Sequence, residues 1–239
     1  MRVKTKHSAW LAESVDVALA VERHRWAWQP AEASVVLIAE SHVFTSPDDL
    51  ALSVRQELIP PGVRNTPDEF VRLIYCLGYG EDELLSGVPK VRNAGTLGFW
   101  SYFGRLAGTG IYPRASTLAT RLAWKAQTLE ALCTRGVWLL DASVHAFYSP
   151  GGVRLSAQLG KALHNTWWNY YGHWLVEQLP PSVRLWAIGK GVHDQLIDER
   201  VPLSGFIYQP QAARGRNIDM NHGWNELLED IEGERLLSR

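Results

Sequence analysis

Four short apolar runs limit what this chain can fold into more than anything else in it. They are Val-Val-Leu-Ile-Ala at 35–39, Val-Trp-Leu-Leu at 137–140, Val-Arg-Leu-Trp-Ala-Ile at 183–188 and Gly-Phe-Ile-Tyr at 205–208. They are near-continuous rather than alternating, as strands covered on both faces must be. Helical patterns separate them. Ser46-Pro47-Asp48-Asp49 carries a cap, an N-terminal proline and an acidic third position, which predicts a helix from 46 to the Pro60-Pro61 pair. Thr66-Pro67-Asp68-Glu69 repeats the signal and predicts a helix ending near Gly78. Further helices are expected over 97–106, 123–134, 166–179, 192–199 and 221–237. Strands joined by helical crossovers predict an α/β fold with a small, mainly parallel four-stranded sheet between helices, a three-layer α/β/α sandwich.

At about 150 residues per domain, 239 residues allow one large domain or two small ones. No repeat, low-complexity tract or linker divides them, so a single domain over 1–239 is expected. It would carry a helical extension over 1–30 and a C-terminal helix over 218–239. Segments 87–95 and 149–152 read as surface loops. A composition 46% hydrophobic and 21% charged excludes a disordered chain. A net charge of -1 excludes nucleic-acid wrapping by bulk charge but leaves room for one basic groove. Two cysteines, Cys76 and Cys133, cannot build a disulfide framework or a cysteine-ligated cluster, and fit a reducing cytoplasm. Glu13, Asp16 and Glu22 interrupt the region where a secretory signal would need an apolar stretch, and no membrane span is expected. Most of the eleven tryptophans are expected in the core.

In an open α/β sheet, ligands bind beyond the carboxyl ends of the strands. Past the first run stands Ala39-Glu40-Ser41-His42-Val43-Phe44; past the second, Asp141-Ala142-Ser143-Val144-His145-Ala146-Phe147-Tyr148. Gly189-Lys190-Gly191 follows the third and opens a helix. Gln209-Pro210-Gln211-Ala212-Ala213-Arg214-Gly215-Arg216 follows the fourth.

In order and spacing these strand ends resemble the uracil-DNA glycosylase superfamily over roughly residues 35–217. Ala39-Glu40-Ser41-His42 stands for its first motif, Leu139-Leu140-Asp141 for its second and Gln209-Pro210-Gln211-Ala212 for its last. Residues 186–196, Trp-Ala-Ile-Gly-Lys-Gly-Val-His-Asp-Gln-Leu, resemble the strand–glycine–helix element before it. The departures are specific. Ala39 and His42 replace a glycine and a proline, Ser41 stands at a water-positioning site, Asp141 replaces the asparagine that reads uracil, and Gln209 replaces a histidine that stabilises the departing base.

The resemblance implies a monofunctional DNA glycosylase needing no metal or other cofactor. It would be a cytoplasmic monomer whose partner is DNA carrying a flipped nucleotide. Glu40, with Ser41 and Asp141, would form the catalytic set, Glu40 positioning or deprotonating water. His42, Phe44, Asp141, Phe147, Tyr148 and Gln209 would contact the base. Gly189, Lys190, Gln211, Arg214 and Arg216 would hold phosphates. An ionised Asp141 can only accept hydrogen bonds, which suits the exocyclic amine of a cytosine-type base, and a modified cytosine in foreign DNA is the expected substrate. Excision of uracil or a damaged base in repair, a catalytically silent nucleic-acid-binding protein and a nucleoside hydrolase are the alternatives. Glu40 and Asp141 read equally as an ion-pair partner and a cap. Asn169 and His173 lie in an aromatic stretch whose polar members can face a cleft.

Overall fold

A computed structural model describes residues 13–64, 66–147, 172–212 and 217–237. Four strands, β1 (Val35–Ala39), β2 (Val137–Asp141), β3 (Arg184–Ile188) and β4 (Leu203–Ile207), form one sheet in the order β2-β1-β3-β4. Every pairing is parallel. All five residues of β1 and of β2 are buried, which is why their sequences are unbroken apolar runs. Seven α-helices occur among the described residues: α1 (Val15–Ala27), α2 (Pro47–Leu50), α3 (Leu97–Ala107), α4 (Leu118–Thr134), α5 (His173–Gln178), α6 (Lys190–Asp198) and α7 (Trp224–Leu237). One apolar core runs from Val17 to Ile231. Trp28, Trp100, Trp138 and Trp224 are fully enclosed in it, whereas Trp26 and Trp174 are exposed. No helix among the described residues is long and apolar enough to cross a membrane.

The outer edge of β2 is covered rather than left open. The Tyr75 hydroxyl accepts the Leu139 N–H at 2.7 Å, and the Trp138 indole donates to the carbonyl of Arg25 on α1 at 3.2 Å. The first of these bonds occupies a backbone N–H of β2 that an exposed sheet edge would offer to another chain.

Of the expected helices, one is cut short and one is not formed. From 46 onward the capping box is present, Ser46 and Asp49 each bonding the other's backbone, but the helix stops at Leu50. Residues 52–54 pair instead with Asp68 and Phe70: Val54 N–H donates to Asp68 and Phe70 N–H to Leu52. Residues 66–71 carry no helix, Glu69 being bridged to Ser53, and turns follow between 74 and 80, with Cys76 N–H bonded to Leu73 and Tyr79 N–H to Cys76. The start signal there is outweighed by burial: Phe70, Val71, Leu73, Ile74, Tyr75, Cys76 and Leu77 are all enclosed, leaving no solvent face. Between them lies buried Arg72, whose guanidinium forks onto the Asp49 carboxylate at 2.8 and 2.9 Å.

Other boundaries move less. Helix α4 begins five residues earlier than residue 123, at Leu118, because Thr117 caps it. β2 takes in Asp141, and β4 lies two residues earlier at its start, at Leu203. Of residues 166–179 only the part from 172 is described, and it is helical over His173–Gln178. Segment 87–95 is anchored by Asn93, which accepts from Gly80 N–H at 2.7 Å and donates to the Gly78 carbonyl at 3.0 Å. Segment 149–152 lies outside the described residues.

Candidate functional site

The chain leaves β1 towards β2 on one side and returns to β3 on the other, so the connections diverge at the carboxyl ends of β1 and β3. Such a switch point opens a crevice between the loops. The parallel register sets Ala39 beside Asp141, bringing the segments after β1 and β2 together. A cleft of about 320 Å³, its open mouth included, lies against them. Ser41, His42 and Asp141 line it with Arg72, Thr96 and Phe99. Gly98, next to Phe99, is approached closely by Pro210 after β4: a methyl group there would stand 2.5 Å from the proline ring. The segment after the last strand therefore rests on the start of α3.

Beneath the cleft runs a buried chain of alternating charge. Glu22 and Asp141 both accept from the Arg25 guanidinium, Asp141 Oδ2 at 2.7 Å. That oxygen stands 3.7 Å from His42 Nδ1, beyond hydrogen-bond range. On the other side of the ring, His42 Nε2 lies 2.8 Å from Glu13 Oε2. Glu13 also accepts the Thr45 and Ala146 N–H groups, each at 2.9 Å, and so ties the segment after β1 to the segment after β2. Burial alone would raise the Glu13 carboxyl, but the His42 charge and these bonds outweigh it and hold the group ionised below its usual range. Burial likewise opposes a charge on His42, yet Glu13 and then Asp141 raise its pKa to about 9. His145, near the same pair, is shifted down by burial.

Ser41 donates to the His42 carbonyl at 3.1 Å and accepts the Phe147 N–H at 3.0 Å, so it shapes the loop as well as lining the cleft. Phe147 is buried and Phe44 is half-buried. Glu40 is half-buried at the end of β1 and is not among the residues lining the cleft. On the β3–β4 side, Gly189 adopts φ 108°, and a methyl group there would meet Gln209 at 3.1 Å. Gln209 accepts from the Gln211 amide at 3.1 Å. Lys190, at the start of α6, is exposed and bonds both Asp194 carboxylate oxygens, at 2.9 and 2.7 Å. His173 is exposed on α5 and pairs with Glu177 at 3.2 Å. Tyr148, Asn169, Arg214 and Arg216 lie outside the described residues.

Glu13, Arg25, Arg72 and Phe99 belong to this neighbourhood, yet none was singled out from sequence. The available clue was Arg25 between His24 and Trp26, a cation within an aromatic-rich helix end. Among the described residues no group of three or more His, Cys, Asp or Glu side chains is placed to hold a metal ion. The polar groups of the cleft can hold a small hydrogen-bonding ring: Asp141 accepts, a charged His42 donates, and Phe99 supplies an apolar wall. No family model, no curated protein and no solved structure matches this chain.

Proposed function

We propose that this chain is a DNA glycosylase that receives a flipped, cytosine-type base in the cleft and hydrolyses its N-glycosidic bond. The observation that carries the reading is the meeting of Ser41-His42 and Asp141, from different strand ends, in one cleft. Asp141 accepts from the exocyclic amine. The Arg25 partner holds the carboxylate in place and satisfies one oxygen, leaving acceptor capacity for the base. Glu40, just past β1 and next in sequence to the cleft-lining Ser41, takes the proton of the water that attacks the anomeric carbon. The reading carries with it a three-layer sandwich, DNA as partner, and use in restricting modified foreign DNA or in repair.

The Lys190–Asp194 pair favours a second reading, hydrolysis of a free nucleoside. It offsets the one described cation at the expected phosphate site, and a nucleoside requires no phosphate grip.

The test offers the purified protein duplexes containing cytosine, uracil, 5-hydroxymethylcytosine or a glycosylated hydroxymethylcytosine, with the matching nucleosides alongside, and detects abasic sites chemically. The expected result is release of a modified cytosine at least a hundredfold faster than uracil, since a mismatched buried acceptor loses a few kcal/mol, about 1.4 per tenfold. Abasic sites in none of the duplexes overturn the proposal. Nucleoside cleavage without duplex cleavage selects the second reading.

A further inference from the structure

Breaking a glycosidic bond leaves an electron pair on the departing base, and a site that works at neutral pH needs a positive group where that charge collects. Gln209, after β4, has no proton to lend as an imidazolium would. The structure holds a different candidate. The His42 ring is completely buried and lines the cleft, and Nε2 is fastened to Glu13. Nδ1 has no hydrogen-bond partner among the described residues. A buried donor without a partner costs free energy unless something fills the place. A base carbonyl in the cleft would fill it.

We propose that His42 is a catalytic residue that donates its Nδ1–H to the departing base, and that Glu13 is the positioning residue that keeps the ring charged. This rests on the reading of the cleft as a base-binding site. In the step, the C1′–N bond breaks with its electron pair going to the base, whose carbonyl is held by Nδ1–H. Water oxygen bonds C1′ and gives its proton to Glu40. The released base then takes a proton from solvent and Glu40 returns its own to solvent, so that one water is consumed. The groups facing the ring are Glu13 from the start of α1, Asp141 from β2 with Arg25 behind it, His145 from the segment after β2, and Arg72 across the cleft. The two carboxylates nearest the ring favour its charge. The Arg25 and Arg72 charges are already taken up by Asp141 and Asp49.

Two measurements test this. The first uses barbiturate, a pyrimidine that is an anion at neutral pH, and follows the His42 imidazole nitrogens by NMR. Barbiturate should shift the Nδ1 resonance and bind at least tenfold more weakly to His42→Gln. An unmoved Nδ1 resonance at saturating barbiturate, or no binding, overturns the proposal even if the protein releases bases. The second uses Glu13→Gln, which keeps the ring and most of the packing. The His42 pKa should fall from about 9 to its ordinary 6.5 or lower, removing about thirtyfold of the charged form at pH 8. Base release at pH 8 should fall with it and recover towards pH 6. A pH profile identical to that of the unmodified protein overturns the role of Glu13 and His42 while leaving the glycosylase reading intact. Barbiturate binding with the Nδ1 shift, but no base release from any duplex, does the reverse: the anion site stands and the proposed function falls.

Discussion

Replacing Arg25 with methionine should separate what the buried charge chain does for the fold from what it does for chemistry. The Arg25 side chain is 2% exposed, Asp141 3% and Glu22 21%, and the guanidinium bridges the two carboxylates. Methionine keeps much of the apolar stem, so the packing loss is small and the change is mainly electrostatic. Removing one member of a buried pair strands the other, at a cost of about 3–5 kcal/mol. In a protein of this size one kcal/mol moves the melting temperature by about 2–4 °C, so a drop of about 6–20 °C is expected. Urea unfolding followed by tryptophan fluorescence at pH 7 measures the free energy directly. Asp141→Asn should cost less alone, because the amide oxygen still accepts from Arg25. In the Arg25→Met background it should recover part of the loss, with a coupling of up to about 3 kcal/mol. A stability within about 0.5 kcal/mol of the unmodified protein, the size of an ordinary surface change, would refute the account of Arg25 as the partner of a stranded charge.

Tyr75→Phe should destabilise by about 1–3 kcal/mol in the same assay, because the Leu139 N–H on the covered edge of β2 loses its acceptor; an unchanged midpoint would show that another group takes it. Glu40→Gln should slow base release at least a hundredfold while DNA binding stays within about threefold, and full activity would move water activation to another residue. The His42 pKa is raised on folding, so its stabilising contribution is complete below 6.5 and is lost as the pH rises through about 9. Glu13 is shifted the other way, so its contribution is present above the ordinary carboxyl range and lost as the pH falls through its depressed folded value. Stability measured from pH 6 to 10 should therefore decline, and the part due to His42 should vanish in Glu13→Gln; an equal decline in that variant would mean that other groups cause it.

The sheet was legible because burial on both faces leaves an unambiguous trace. The unbroken run at 35–39 matches β1 residue for residue, and the other three strands fall within two residues of their apolar runs. The non-helical path of 66–78 was not legible, since the local start signal at Thr66 competes with a demand that only the folded chain makes: Arg72 must reach Asp49 through an apolar interior. Glu13 was informative in the sequence only as an interruption of an apolar stretch. Its three hydrogen bonds join it to residues 29, 32 and 133 positions away, and no local pattern carries that distance. Asp141 stood out by its place at a strand end, but its partner Arg25 lies 116 positions earlier on a helix whose polar residues read as a solvent face.

A second buried charge cluster gives a comparison for the chain beneath the cleft. Glu81 sits among Lys125, Arg121 and Tyr112, with Lys125 also donating to the Tyr79 carbonyl at 3.0 Å and lying over the rings of Trp100 and Tyr112. Both clusters carry the desolvation cost of ions taken out of water, which makes either one weak evidence of a stability gain. They differ in how complete they are. The Glu81 side chain, the Lys125 ammonium and the Arg121 guanidinium leave no buried polar atom without a partner, as a purely structural cluster should. The chain from Glu22 to Glu13 leaves both Glu22 Oε2 and His42 Nδ1 buried without a hydrogen-bond partner among the described residues, and of these two residues it is His42 that lines the cleft. On the proposed reading, a ligand carrying the complementary pair would meet His42 Nδ1 and Asp141, each held from behind, by Glu13 and by Arg25. Under the proposed function, a cytosine-type base offers such a pair on either side of its N3, a carbonyl for the imidazolium and an amine for the carboxylate.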